Sequence, residues 1–223
     1  MGLRFAEPMA PDGAVRGSAG DPELAGLYRA TATPARMDVP PLQCLMVDGS
    51  GDPETTPAYA DAVGTLYAVS YGLRFMAKAI GEQPWKVGPL EGLWWADDPD
   101  AFLTDTRADW RWTMLIVQPT RVTADLVRRA LHAAVAKGRA PAAEHLHLDV
   151  LDEGTAFQVL HVGPYDAEGP TIAGLRRAIA EQGYALRGAH HEIYLGDPRR
   201  SAPERLRTII RQPAQPPEDA PQG

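Results

Sequence analysis

The sequence predicts an α+β fold in which two pseudo-symmetric βαββ units form a central cleft. The chain of 223 residues is long enough for two small halves that share an interface. Strand and helix patterns follow one another in the order βαββ twice, in about residues 40–120 and 155–213, although residue identities do not repeat. Each unit covers one sheet face with its helix, so two units side by side make a concave site.

The first unit begins with an apolar strand, Leu42 to Gly49, which ends in a glycine-rich turn. A helix starting at Thr56-Pro57 carries one apolar stripe at helical spacing and ends at Gly81. Two strands, Val87 to Trp95 and Trp110 to Val117, complete the unit. The loop that joins these strands is acidic, with Asp97, Asp98, Asp100 and Asp105.

A connecting helix is predicted at residues 123–138, because Thr123 is a suitable N-cap and Gly138 ends the helical pattern. Leu146 to Leu151 is expected to be extended. The second unit then comprises a strand, a helix and two strands, at Thr155 to Val162, Pro170 to Gln182, Leu186 to Leu195 and Leu206 to Arg211.

The two ends have a different composition from the domain, which is expected to span residues 21–214. Residues 1–20 are rich in Gly, Ala and Pro, and residues 215–223 are rich in Pro. Such segments bury too little apolar surface to order themselves, so we expect two flexible tails.

The overall charge argues against nucleic-acid binding, since the formal net charge is −7 and the pI is near 5.4. The local run of arginines after Asp197 is interpreted as a solvated basic stretch. The single cysteine, Cys44, cannot form an internal disulfide. No N-terminal apolar run resembles a signal peptide and no stretch is long enough for a membrane span, so the cytoplasm is the default expectation. The sequence leaves a monomer and a homodimer open.

The segment around Glu192 carries the strongest candidate for chemistry. Side chains alternate along a strand, so His190, Glu192 and Tyr194 point to one face and His191, Ile193 and Leu195 to the other. If Ile193 and Leu195 lie on the helix side, the first set faces the cleft. Burial in an apolar cleft would raise the pKa of the Glu192 carboxyl group toward the range useful for proton transfer. The alternative is a surface glutamate bonded to a neighbouring strand.

Tryptophans form a second candidate feature. Trp110 and Trp112 share one strand face, and two indoles on one face can form a flat wall for a planar aromatic ligand. Trp94 and Trp95 are adjacent, so only one of them can face the cleft. Core packing is the competing interpretation for each tryptophan.

Tyrosine and histidine side chains supply further candidates. Tyr67 and Tyr71 stand four residues apart on the first helix, so their hydroxyls could reach the same place, unless both are solvated. His161 and Tyr165 flank the turn at Gly163-Pro164, and His161 could equally be a satisfied core histidine.

The sequence predicts neither a metal nor a cofactor. His145 and His147 offer two ligands without an obvious third, and His190 and His191 point to opposite faces. Gly49-Ser50-Gly51 lacks the rest of a phosphate-binding signature and is interpreted as a turn.

Several stretches together resemble the GyrI-like proteins that stand alone without a DNA-binding domain. The similarity covers nearly everything between Asp21 and Ala214. The stretches that carry it are Val69-Ser70-Tyr71-Gly72-Leu73-Arg74-Phe75-Met76, Pro89-Leu90-Glu91-Gly92-Leu93-Trp94-Trp95-Ala96-Asp97-Asp98, Leu160-His161-Val162-Gly163-Pro164-Tyr165 and His190-His191-Glu192-Ile193-Tyr194-Leu195, extended by Asp197-Pro198-Arg199-Arg200 and Thr208-Ile209-Ile210-Arg211-Gln212-Pro213.

The resemblance implies a central ligand cleft between two βαββ units, related to the effector-binding domains of multidrug-responsive regulators. Those domains bind lipophilic cations around a buried glutamate. Some stand-alone members of the family hydrolyse cyclopropanoid DNA-alkylating natural products and so protect the cell. The implied partners are therefore flat aromatic or lipophilic small molecules.

The resulting hypothesis is hydrolysis of a cyclopropanoid compound, with Glu192 activating water and with Trp110 and Tyr71 completing the catalytic set. The expected ligand-binding residues are Tyr67, Trp94, Trp112, His161, Tyr165, His190 and Tyr194. The alternative is a protein that binds or sequesters lipophilic aromatic or cationic drugs without breaking a bond. A protein-interaction role such as gyrase inhibition is a third, less supported interpretation. The same cleft and carboxylate would serve binding and turnover equally well.

Overall fold

The computed structural model describes residues 22–96 and 107–216. Within these residues the backbone forms one mixed architecture, a large antiparallel sheet with α-helices packed on it. Residues 1–20, the acidic loop with Asp97, Asp98, Asp100 and Asp105, and residues 217–223 lie outside the described part. The predicted start of the C-terminal tail was one residue early, because Gln215 still belongs to the last strand.

Two elements precede the first predicted strand. A 3-10 helix spans Pro22–Tyr28, and strand β1 spans Ala35–Val39. The first βαββ unit then consists of β2 (Leu42–Ser50), α1 (Pro57–Ala79), β3 (Leu90–Trp95) and β4 (Arg111–Val117). These elements follow the predicted order.

The rest of the chain contains a connecting helix and the second unit. Helix α2 (Ala124–Val135) begins where the Thr123 side chain accepts a hydrogen bond from the amide of Leu126. Strand β5 (Leu146–Leu151) follows. The second unit comprises β6 (Gly154–Val162), α3 (Gly169–Glu181), the short β7 (Ala185–Leu186), β8 (His190–Tyr194) and β9 (Arg207–Gln215).

The predicted continuous strand at residues 186–195 is wrong, because the chain breaks between β7 and β8. Gly188 there has a φ of +62°, in the left-handed region that interrupts a strand. Strand β7 pairs with the end of β9, whereas β8 pairs with β9 and with β3.

Sheet order makes the internal symmetry visible. The strands lie in the order β1-β6-β9-β8-β3-β4-β2-β5, with β7 attached to β9. Moving outward from the centre, β3, β4 and β2 on one side correspond to β8, β9 and β6 on the other. The prediction of two pseudo-symmetric βαββ units is therefore confirmed, and their shared boundary is the antiparallel pair β3–β8.

Both unit helices cover the same face of this sheet. Leu66, Val69 and Leu73 of α1 are buried in one cluster with Trp112 and Met114 of β4, and α2 packs against α1 in the same cluster. On α3, Leu175 and Ile179 pack against β6 and β9. The 3-10 helix covers the opposite face with Leu24 and Leu27. Each fully buried aliphatic side chain of this kind contributes about 1.5–3 kcal/mol to folding.

Of the described residues, none form a helix that is long and apolar enough to cross a membrane.

Candidate functional site

The centre of the candidate site is the seam between β3 and β8, on the helix-covered face. Glu192 lies directly opposite Gly92 in this pair. A Cβ atom at Gly92 would lie 2.8 Å from Nε1 of Trp94 and 3.2 Å from the sulfur of Met114, so the glycine leaves the space that the Trp94 indole occupies. The absence of a side chain opposite Glu192 thus allows aromatic groups to approach the carboxylate.

Glu192 is held by its two neighbours on the same strand face. Nε2 of His190 donates to Oε1 of Glu192 at 3.1 Å, and the Tyr194 hydroxyl donates to Oε2 at 2.8 Å. Nε1 of Trp94 donates in turn to the Tyr194 hydroxyl at 3.1 Å. The predicted grouping of His190, Glu192 and Tyr194 on one face is therefore confirmed, and the Glu192 side chain stays 16% exposed.

Two parts of the prediction for Glu192 were wrong. Ile193 does not lie on the helix side, because the helices cover the face that carries Glu192, as the contacts of Tyr59 on α1 with Trp94 demonstrate. The pKa of Glu192 is not raised either. Burial by itself raises it, but the hydrogen bonds from His190 and Tyr194 outweigh burial and hold the pKa below its ordinary value.

A second carboxyl group, that of Glu168, stands beside Glu192. It lies just before α3 and is 4% exposed. Burial raises its pKa first, and the neighbouring Glu192 carboxylate raises it further, to about 9. At neutral pH the pair therefore holds one proton, on Glu168, while Glu192 is ionised.

Two buried oxygens next to this pair have no hydrogen-bond partner among the described residues. They are Oε1 of Glu168 and Oγ1 of Thr208. Thr208 is fully buried on β9 and pairs with Tyr194 of β8. Buried polar atoms are normally satisfied, and Thr208 lies close enough to Glu168 to lower the pKa of that carboxyl group.

Aromatic rings surround the carboxyl pair. The Tyr59 ring stacks on Trp94 with centroids 6.1 Å apart, and the Trp110 ring meets Trp94 edge-on with centroids 5.7 Å apart. The Tyr165 ring meets Tyr194 edge-on at 5.7 Å and is 40% exposed. Burial and the Glu192 charge raise the pKa of Tyr165 to about 12, so its hydroxyl is protonated at neutral pH.

Of the adjacent tryptophans, Trp94 is the one on the Glu192 face, and alternation directs Trp95 to the other. Trp112 is in the core. It is 1% exposed, its ring fills the space beside Gly49, and its Nε1 donates to the Gly51 carbonyl. Its edge contact with Tyr59 favours a supporting position below the site.

Tyr67 and Tyr71 lie on α1 with their rings 6.3 Å apart. Tyr67 is partly buried, and burial first, then the nearby Tyr71, raise its pKa. Tyr71 is 45% exposed and its ring also contacts Phe75. The two rings therefore extend the aromatic surface outward along α1.

His161 is a satisfied histidine. Its ring nitrogens bond to the Thr171 hydroxyl at 3.0 Å and to the Pro164 carbonyl at 3.2 Å. Both contacts tie β6 to the start of α3 and to the turn that carries Tyr165. In this arrangement His161 has no ring nitrogen free for a ligand.

The opposite face of the same strands carries a second polar cluster, the His191 network. Nε2 of His191 donates to Glu91 and Nδ1 donates to Glu153, both at 3.0 Å. Arg211 donates to the other Glu153 oxygen at 3.1 Å, and the Tyr28 hydroxyl donates to Glu91 at 3.0 Å. This network joins the 3-10 helix to the centre of the sheet.

The pKa values of the network follow from its pairing. Burial alone lowers the pKa of His191, but Glu153 and Glu91 raise it to about 9. Burial alone raises the pKa of Glu153, but His191 and Arg211 lower it to about 2. Two buried cations thus balance two buried anions.

Within residues 22–96 and 107–216, no three His, Cys, Asp or Glu side chains are arranged to hold a metal ion.

Sequence reasoning missed two residues of the site, Glu168 and Tyr59. Tyr59 precedes Tyr67 by two helical turns, so the spacing of tyrosines on α1 could have revealed it. Glu168 stands alone before Gly169-Pro170 and carries no pattern that links it to Glu192. Only the packing of α3 against β6 and β9, with β9 paired to β8, brings the two carboxyl groups together.

Comparison with known proteins gives a consistent result. Residues 36–213 match the family model of the GyrI-like small-molecule-binding domain. Two solved structures from Listeria innocua are 34% identical to the chain, and each comparison covers 86% of this chain and 97% of the other. One is an uncharacterised conserved protein (TM-score 0.80) and the other a hydrolase (TM-score 0.76).

A more distant structure, the C-terminal domain of EcmrR, is 14% identical with a TM-score of 0.53 over 83% of this chain and 98% of that one, and it shares the fold. No curated protein matches the chain significantly.

Proposed function

Because the chain belongs to the GyrI-like family of small-molecule-binding domains, we propose that it hydrolyses cyclopropanoid DNA-alkylating compounds that bind in the cleft at Glu192. The observation that carries the proposal is the Glu192 carboxylate, held by His190 and Tyr194 among aromatic rings, with the buried Glu168 carboxyl group beside it. A similar structure from Listeria innocua is a hydrolase, which supports the reaction class.

Glu192 serves as the base in this proposal. Its ionised carboxylate is fixed by His190 and Tyr194, so it can orient a water molecule and accept a proton as the water attacks. Its lowered pKa makes it a weak base. A weak base can activate water only against a reactive substrate. The proposed substrate is therefore a strained electrophile, and an acid must assist its ring opening.

Glu168 serves as that acid. Its raised pKa keeps it protonated at neutral pH, and its unpartnered Oε1 can hydrogen-bond the substrate. The buried Thr208 hydroxyl lies beside Glu168 and can hydrogen-bond either that carboxyl group or the substrate.

The proposed step adds one water molecule. The water oxygen bonds to a cyclopropane carbon as the ring C–C bond breaks, and the electron pair of that bond passes into the conjugated dienone. Glu192 accepts the proton that water loses, and Glu168 donates its proton to the developing phenolate. A proton then returns from Glu192 to Glu168, which restores both groups without a covalent enzyme intermediate.

The aromatic residues hold the flat electrophile in this proposal. Trp94 and Trp110 form one wall, Tyr165 and Tyr194 another, and Tyr67 and Tyr71 continue the surface outward. Stacking on such rings contributes about 0.5–1.5 kcal/mol for each contact beyond area burial. Trp112 supports Tyr59 from below, and His161 fixes the turn that presents Tyr165.

The test is a turnover experiment with sub-stoichiometric protein and a spirocyclopropyl-cyclohexadienone alkylator. Ring-opened product is followed by mass spectrometry for the wild type, Glu192→Gln and Glu168→Gln. Multiple turnovers by the wild type and their loss in Glu192→Gln support hydrolysis. Unchanged turnover by Glu192→Gln would falsify the role of this carboxylate.

A second candidate function is the binding or sequestration of lipophilic cations. The ionised Glu192 among aromatic rings favours it, since cations bind to both carboxylates and ring faces. Protection that is strictly stoichiometric, with tight binding and no product, would favour this function over hydrolysis.

A further inference from the structure

A cavity of about 170 Å³ lies away from Glu192, between the C-terminal end of α1 and the start of α2. Its walls are largely apolar, and its rim carries charge and one indole. The lining residues used below are Met76, Ala79, Glu82, Trp85, Arg121 and Arg129. An engineered apolar cavity of about 150 Å³ binds benzene, so this volume admits a single aromatic ring.

The polar groups of the cavity are unevenly satisfied. Nε1 of Trp85 is buried and has no acceptor among the described residues. Because this atom has almost no accessible surface, a molecule in the cavity would contact the ring of Trp85 rather than its N–H.

Charge favours an anionic ligand. Arg121 lies 3.5 Å from Glu82 and 5.0 Å above the Trp85 ring, so these two charges offset each other. Arg129 is exposed and forms no ion pair with any residue in the described part of the chain. Among the described residues, the lining thus keeps one positive charge without an ion-pair partner, on Arg129.

The loop over the cavity is fixed in place. Nε of Arg74 donates to the Trp85 carbonyl at 2.9 Å, and Arg121 donates to the Gln83 carbonyl at 3.0 Å. Two arginine side chains therefore hold the backbone of this loop, one at Trp85 and one at Gln83, which reduces the ordering cost of binding.

From this combination we propose that the cavity is a second binding site, distinct from the Glu192 cleft, for small aromatic carboxylates with one ring. The ring occupies the apolar end against Met76 and the Trp85 ring, and the carboxylate pairs with Arg129. This site does not depend on the reaction proposed at Glu192.

The experiment uses phenylacetate as the probe and the indole N–H signals of the ¹⁵N-labelled full chain as the readout. Trp85→Phe identifies the Trp85 signal. We expect a saturable shift of that signal with phenylacetate in the millimolar range or below, and a much weaker response to benzylamine and to toluene. Equal responses to the three probes, or no saturable shift, would overturn the proposal.

Two variants locate the bound probe. Ala79→Phe places a ring on an exposed helix position at the cavity and should abolish the shift, whereas Arg129→Glu should weaken binding at least about fivefold. Glu192→Gln should leave phenylacetate binding unchanged. Loss of binding in Glu192→Gln, with binding retained in Ala79→Phe, would place the probe in the cleft and refute the second site.

Discussion

Neighbouring residues of β8 contribute to two polar clusters that differ in almost every physical respect. On one face, Glu192 is 16% exposed, stands beside a second carboxyl group and is close to buried oxygens without partners. On the other face, His191 is fully buried between Glu91 and Glu153, and Arg211 completes the pairing. Glutamate and histidine side chains thus form a site with unpaired hydrogen-bonding atoms on one face of the strand and a fully paired network on the other.

The difference separates a binding site from a structural one. Charges in the His191 network are balanced and its hydrogen bonds reach the backbone of the 3-10 helix through the Leu27 carbonyl. In the Glu192 cluster, like charges are placed together and only one can ionise, which costs stability and offers proton transfer. We therefore expect substitutions on the two faces to affect different properties.

The largest effect is expected for Glu192→Gln. Since the substitution removes the proposed base, turnover of the alkylator should fall about 10²- to 10⁴-fold. The free energy of unfolding should change by less than about 1 kcal/mol, because Gln keeps the shape and an acceptor for Tyr194. Steady-state kinetics and urea unfolding of the same preparation check both parts. A large loss of stability in Glu192→Gln would contradict the expected difference between the Glu192 site and the His191 network.

His191→Gln is the matched substitution on the opposite face. It leaves Glu91 and Glu153 buried without their shared cation, so we expect a destabilisation of about 3–5 kcal/mol in chemical unfolding. The kcat of the folded fraction should stay close to that of the wild type. Arg128→Gln, at the exposed ion pair with Asp125, is the control and should cost less than about 1 kcal/mol.

The pH dependence of stability should report the same network. The folded pKa of His191 is raised to about 9, so its contribution is complete below pH 6.5 and is lost as the pH rises through 9. The folded pKa of Glu153 is lowered to about 2, so its contribution is present above pH 4.5 and is lost as the pH falls toward 2. Maximum stability is thus expected between these limits.

As the pH rises through 9, proton linkage predicts that the free energy of unfolding falls by about 3 kcal/mol because of His191. Urea unfolding from pH 6 to pH 9.5, for the wild type and His191→Gln, measures it. The difference in stability between the two proteins should shrink as the pH rises. A difference that is constant with pH would mean that His191 is neutral in the folded protein.

Glu168→Gln should have a smaller effect than Glu192→Gln. Gln cannot donate the proton, but it retains a hydrogen-bond donor for the developing phenolate, so we expect kcat to fall about 10- to 100-fold. Binding of a lipophilic cation should change little, because Glu168 is uncharged at neutral pH. Calorimetry measures the affinity of each variant for such a cation, and the kinetic assay measures its kcat. Together they distinguish the role of Glu168 from that of Glu192. Equal losses of cation affinity in both variants would contradict the proposed protonation states.

The smallest effect is expected at Tyr71, whose ring is half exposed on α1. Tyr71→Phe should leave kcat within about twofold, and Tyr71→Ala should raise KM about two- to tenfold through loss of ring contact. A fall in kcat for Tyr71→Phe would instead indicate that the hydroxyl takes part in proton transfer.

Periodicity accounts for what the sequence predicted well. The βαββ order, the limits of α1 and α2 and the common face of His190, Glu192 and Tyr194 all follow from local spacing, which depends only on strand and helix geometry. The break at Gly188 was missed because a single glycine does not reveal its φ angle.

Contacts between segments that are distant in sequence decided the features that local spacing could not predict. The sequence by itself determined which side chains share a strand face, but which face the helices cover depends on how α1 and α3 pack on the sheet. The pKa of Glu192 was predicted in the wrong direction because its hydrogen bonds depend on side-chain orientation. Glu168, 24 residues before Glu192 in the chain, became its partner through tertiary packing alone, since electrostatic coupling depends on distance in space and on burial rather than on separation in sequence.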